Sequence, residues 1–140
     1  GDLTTISLEL KVGPIRVEVR SEQGVVRQII MSQKKPQFLT TYDPGDILPV
    51  FGLSIGEALP NVPIQTVSTG TPQLMIPVVD LDALRRSRLD VEKYERLRAR
   101  ADFFSPHLFC VQGVTERGRT FARHFSPPPD VLEDPFTGSA

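Results

Sequence analysis

The residues best suited to chemistry close the sequence: Glu133-Asp134-Pro135-Phe136-Thr137-Gly138-Ser139-Ala140. An aspartate before proline suits a helix start, because its carboxylate accepts from free backbone N–H groups and proline fits the first helical position. Thr137-Gly138-Ser139 offers a second cap, and Gly138 allows another group to approach the backbone closely. Such a corner gathers unpaired donors and positive dipole character where an anion can sit. Thr137, Gly138 and Ser139 are therefore candidates to hold a substrate carboxylate or a developing oxyanion. Asp134 beside them would be an acid, a base or a hydrogen-bond orienter. The plain alternative is a well-capped helix and nothing more. A helix announced in this way should run for two or three turns, so the sequence is expected to be part of a longer protein.

Other candidates are weaker on spacing alone. Gly70, in the turn Ser68 to Pro72, could aim backbone groups at a ligand, although a bare connection explains the same residues. His107 and His124 have no neighbours at metal-ligand spacing and read as surface or packed residues. Cys110 lies in an apolar run and reads as a core thiol. Thr-Gly-Ser lacks the Gly-Lys-Ser/Thr ending of a nucleotide P-loop, and no Gly-x-Ser-x-Gly elbow occurs. A net charge of −1 over 140 residues gives no electrostatic footprint for nucleic acid or an anionic membrane. No apolar run approaches membrane-spanning length.

The elements that must position these residues follow from periodicity. Ile6 to Val12 and Ile15 to Val19 alternate apolar with polar residues, and Val25 to Met31 is β-rich, so three strands form a meander. Asp43-Pro44 starts a short helix closed by Gly52, and Ser54 with Glu57 has capping-box spacing. Ile64 to Ser68 and Leu74 to Val79 read as strands. The second is apolar on both faces and central, with Pro77 demanding an edge or a bulge. Asp80 to Asp102 predicts two helices capped by Asp80 and Asp90, with a break near Ser87. Leu108 to Val111 and Thr120 to Phe125 are strands, the latter with Phe121 and Phe125 on one side. The fold class expected is α+β with a mixed or mostly antiparallel sheet.

Three stretches together resemble the PhzF (phenazine biosynthesis-like) family, relatives of diaminopimelate epimerase. Val67 to Val78 is similar to that family's Ser-Thr-Gly-x-Pro strand pair, and Phe121 to Pro127 to its Ala-Arg-x-Phe-x-Pro strand. Glu133 to Ala140 matches its Glu-Asp-Pro-x-Thr-Gly-Ser-Ala signature, with Phe136 where a small residue is usual. The resemblance implies two similar lobes, each a sheet wrapped around a central helix, with the active site between them. In that picture residues 1–24 end the N-terminal lobe. Residues 25–140 make most of the C-terminal lobe and stop at the start of its central helix.

What the resemblance implies chemically is a cofactor-independent isomerase or epimerase that moves a proton on a small carboxylic acid, with no metal. Asp134 corresponds to the signature aspartate near the reacting centre, and Gly138 with Ser139 to the substrate-binding pair. The family's catalytic glutamate and its Gly-His partner belong to the earlier lobe and have no counterpart here. Cys110 matches neither cysteine of the racemase relatives. The expected partners are a carboxylate-bearing substrate, the remainder of the protein and a second copy in a homodimer, in the cytoplasm, without nucleic acid or membrane. The alternative is a non-catalytic relative that keeps the lobe for binding or assembly.

Overall fold

The computed structural model describes residues 1–11, 13–116, 118–126 and 132–135. The chain divides into two compact units, Gly1–Pro36 and Gln37–Ala140. The lobe boundary expected from the resemblance falls earlier, at Gly24.

The first unit is a three-stranded antiparallel meander of β1 (Asp2–Leu10), β2 (Gly13–Glu22) and β3 (Val25–Met31), in the order β1-β2-β3. Strand β3 pairs with β2 and so belongs with the strands that precede it. The β2–β3 hairpin turns on Gln23 and Gly24, both with positive φ, which matches the twist of the flanking strands. Ile15 and Val17 of β2 are buried, whereas β1 is exposed along its whole length. The alternation of Ile6, Leu8 and Leu10 therefore marks a strand, but within this unit no second layer covers it.

The second unit is a six-stranded mixed sheet in chain order: β4 (Gln37–Tyr42), β5 (Ile64–Ser68), β6 (Pro72–Pro77), β7 (Ser105–Cys110), β8 (Phe121–Phe125) and β9 (Glu133–Asp134). Neighbours are antiparallel except β6 and β7, which run parallel and are joined through α2 (Leu81–Arg86) and α3 (Val91–Arg98). A parallel join needs such a crossover. Asp80 and Asp90 cap these helices by accepting from the amides of Ala83 (2.7 Å) and Lys93 (3.1 Å). Helix α1 (Pro44–Ile47), capped by Asp43, passes directly into a 3-10 turn over Leu48–Phe51.

These helices cover one face of the sheet. Its core joins Ile47, Leu48 and Phe51 with Leu74, Ile76, Leu108 and Cys110, together with Leu84 and Tyr94. Cys110 is thus a core thiol, as its apolar run suggests. Pro77 closes β6 two residues past the last pair with β5, Gln65 opposite Met75, so its missing N–H removes no ladder bond there. Its carbonyl accepts from Leu59 at 3.0 Å. Asp102 draws β4 and β5 together: one carboxylate accepts from Thr66 Oγ1 (2.6 Å), the Tyr42 hydroxyl (2.7 Å) and the Thr40 amide (3.2 Å). Burial alone would raise its pKa, but these hydrogen bonds outweigh it and hold the group at about 2. Among the described residues, no helix is long and apolar enough to cross a membrane.

Candidate active site

The sheet ends in the short β8–β9 pair, and its register decides where Asp134 goes. Phe125 lies opposite Glu133 and His124 opposite Asp134. Side chains alternate between faces, so Glu133 and Asp134 project to opposite sides of the sheet. Glu133 falls on the helix-covered side, where Arg123 takes both of its oxygens: Nε donates to Oε1 and Nη2 to Oε2, each at 2.7 Å. Nη1 of the same guanidinium donates to the carbonyls of Leu84 (3.0 Å) and Ser87 (2.8 Å) and to Ser87 Oγ (2.9 Å). It thereby adds to the capping at the C-terminal end of α2, where the Leu84 carbonyl also accepts from the Ser87 amide and hydroxyl. The guanidinium also lies 4.8 Å from the centre of the Phe125 ring. Hydrogen bonds from Arg123 hold the Glu133 carboxyl below its ordinary range, against burial.

Asp134 falls on the other face. There Met75, His107, His124 and Asp134 form one row, each directly opposite the next on neighbouring strands. His107 Nδ1 and His124 Nδ1 are 3.3 Å apart, and His124 Nε2 is 3.0 Å from Ser105 Oγ. Ser105 in turn donates to Gln73 Oε1 at 2.6 Å. The serine hydrogen is spent on Gln73, so Ser105 Oγ accepts from His124 Nε2–H. That leaves His124 Nδ1 as an acceptor for His107 Nδ1–H. Every proton has a place when both rings are neutral. Burial, aided by the neighbouring His124, pushes His107 down to about 4. Burial also lowers His124, and the Asp134 charge opposes that shift.

The residues singled out from sequence fare differently. An open cleft of about 410 Å³ touches Asp134, but Arg85, Arg123 and Glu133 line it from the helix side, away from the face to which the Asp134 side chain projects. Glu133–Asp134 is a strand, with Pro135 in a turn after it, and the helix expected to follow lies outside the described residues. Thr137, Gly138 and Ser139 lie outside the described residues. Gly70 spends its amide on Ser68 Oγ (3.2 Å) within its own turn. It stands at the start of β6, with β7 and β8 between it and β9, roughly 14 Å across the sheet at ~4.8 Å per strand.

Sequence reasoning missed the histidine network and treated each ring as solitary. Ser105, His107 and His124 meet only through the β7–β8 register, which local spacing does not reveal. It also missed the Arg123–Glu133 pair. The available signal was that Arg123 shares its strand with Phe125 at a spacing of two, placing the cation on the core side. Among the described residues, no group of three His, Cys, Asp or Glu side chains is arranged to hold a metal ion.

The family model for phenazine biosynthesis-like protein (PhzC-PhzF) matches residues 2–140. The chain is 33% identical over 138 residues to an uncharacterised isomerase of Mesorhizobium japonicum, covering 95% of this chain and 46% of that protein. It is 29% identical over 133 residues to trans-2,3-dihydro-3-hydroxyanthranilate isomerase of Pseudomonas fluorescens, covering 95% of this chain and 44% of that one. Among solved structures it resembles the Bacillus anthracis phenazine biosynthesis protein of the PhzF family (TM-score 0.78, 26% identity), covering 99% of this chain and 47% of that one. It also resembles a Pseudomonas aeruginosa protein described as a predicted epimerase (TM-score 0.73, 26% identity), covering 96% and 45% of the two chains. The chain thus spans less than half the length of these relatives. With the α+β sheet architecture, the match along nearly its whole length and isomerases among its relatives, the chain belongs to the phenazine biosynthesis-like (PhzC-PhzF) protein family.

Proposed function

We propose that this chain is part of a cofactor-independent isomerase that moves a proton between carbons of a small carboxylic acid. The observation that carries the reading is the position of Asp134, at the end of a clamped strand and on the sheet face that carries His107 and His124. A carboxylate held there can take or give a proton, or orient the group that does. Thr137, Gly138 and Ser139 supply the anion-holding donors, with Ser139 close to the chemistry, and Gly70 contributes to the substrate wall. The general-base glutamate comes from a segment outside these residues. Support comes from the family match, which runs through the Glu133 to Ala140 signature. Further support comes from the Pseudomonas fluorescens relative, named for isomerising a carboxylated ring compound. The working protein is a homodimer in the cytoplasm.

The test is solvent deuterium incorporation into trans-2,3-dihydro-3-hydroxyanthranilate and related small carboxylic acids by the complete protein. Asp134→Ala is expected to lower turnover at least ~100-fold, the scale of general acid–base assistance, with a melting temperature close to wild type. Loss of stability in proportion to the loss of rate would reduce Asp134 to a structural residue. No exchange into any candidate would overturn the reading.

A further inference from the structure

We propose that Arg123 is a positioning residue for Asp134, acting through Glu133; the inference rests on the catalytic reading of Asp134 given above. Strand β9 is only two residues long, and its two ladder pairs with β8 are a small anchor for a group that must be held in place. Arg123 supplies the missing constraint. Its fork fixes both oxygens of Glu133, and its third nitrogen is fixed to the end of α2, whose Ala83 and Leu84 are fully buried. Position therefore passes from the packed helix to the guanidinium, from there to Glu133, and along one peptide unit to Asp134. A bidentate pair fixes angle as well as distance, which a lysine at this position could not do.

The same geometry argues against Arg123 as a binder of substrate anions, although it lines the cleft. Nε and Nη2 are committed to Glu133 and Nη1 to α2, and the side chain is only 18% exposed. Its charge is already matched by Glu133. The division of labour follows from alternation along β9: Glu133 is the handle on the helix side, and Asp134 is the tool on the other.

The experiment compares Glu133→Gln, Arg123→Lys, Ser87→Ala and Asp134→Asn in the complete protein. Two readouts are taken beside the melting temperature. One is the kcat and KM of deuterium incorporation into trans-2,3-dihydro-3-hydroxyanthranilate. The other is the NMR titration of the His124 ring, which reports how near the Asp134 charge lies. Glu133→Gln leaves the α2 contacts of Arg123 in place. It is expected to lower kcat about 10-fold at an unchanged KM and to move the His124 titration toward that of Asp134→Asn. Arg123→Lys should do the same, so the inference stands on two variants if one folds poorly. Ser87→Ala removes one of the α2 contacts of Nη1 while the Leu84 and Ser87 carbonyls remain, and should change kcat and the His124 titration in the same direction by less. Wild-type kcat and His124 titration in both Glu133→Gln and Arg123→Lys would overturn the inference. If Asp134→Asn itself keeps wild-type kcat, the catalytic reading fails, while the His124 titration still decides whether Arg123 sets the position of Asp134.

Discussion

Acid should loosen the second unit through its paired histidines. His107 is held at about 4 in the folded chain, against an ordinary value of 6.5. The folded state therefore binds fewer protons than the unfolded state between these values. Stability is complete above the unfolded value, falls as pH drops through it, and levels off near the folded value. At ~1.4 kcal/mol per unit the whole shift is worth about 3 kcal/mol, of which about 2 kcal/mol is lost between pH 7 and pH 5. The ring is only partly shielded from solvent, so about 1–2 kcal/mol is the expected loss. His124, also lowered by burial, adds in the same direction. Asp102, Glu57 and Glu133 all have lowered values and titrate below this window. The assay is urea unfolding of wild type and His107→Gln at pH 7 and pH 5. The variant should lose about 1 kcal/mol less than wild type over this interval. Equal losses would refute the reasoning, since His107 would then not be the group that the fold keeps neutral.

Two further outcomes follow from packing and from the Asp102 hub. Phe51 is fully buried and lies with its ring 5.8 Å from that of Phe125, so Phe51→Ala should cost about 3–5 kcal/mol in urea unfolding. Less than 1 kcal/mol would mean that the core closes over the lost ring. Asp102 is held at about 2 against an ordinary 3.8, so its contribution is complete above 3.8 and lost as pH falls toward 2. The carboxylate is exposed, which reduces the expected cost of Asp102→Asn at pH 7 to about 1 kcal/mol. Measured by the same unfolding assay, that difference should narrow as pH falls below the ordinary value.

Local rules recovered what local forces decide. The aspartates ahead of α2 and α3, the break at Ser87, the i,i+4 pair of Glu92 with Arg96 and the buried Cys110 were all readable from spacing. Strand β4 was not, because Gln37–Tyr42 lies at a sheet edge, with Phe38 and Leu39 exposed and its pairing interrupted after Phe38. Its place depends on Asp102, which reaches it from a distant part of the chain. The end of the sequence shows the same division. Asp134 before Pro135 has the local form of a helix cap, a form that gives no hint of the strand pairing that takes Glu133 to Arg123. The candidate site was legible as a motif, but its surroundings were not. Two histidines whose meeting requires β7 and β8 to align leave no trace in their own neighbours.

The parallel join between β6 and β7 has a further consequence for how the second unit assembles. On one side of it β4, β5 and β6 are linked antiparallel, and on the other β7, β8 and β9. Among the described strands these two triplets meet along one seam, and closing it requires the chain from residue 78 to residue 104 to be looped back and folded against the sheet. Loop-closure entropy grows with the length of chain enclosed, and parallel pairing offers no tight turn to begin from. The seam is therefore where local order must wait for long-range order, and α2 and α3 are the ballast that holds it shut.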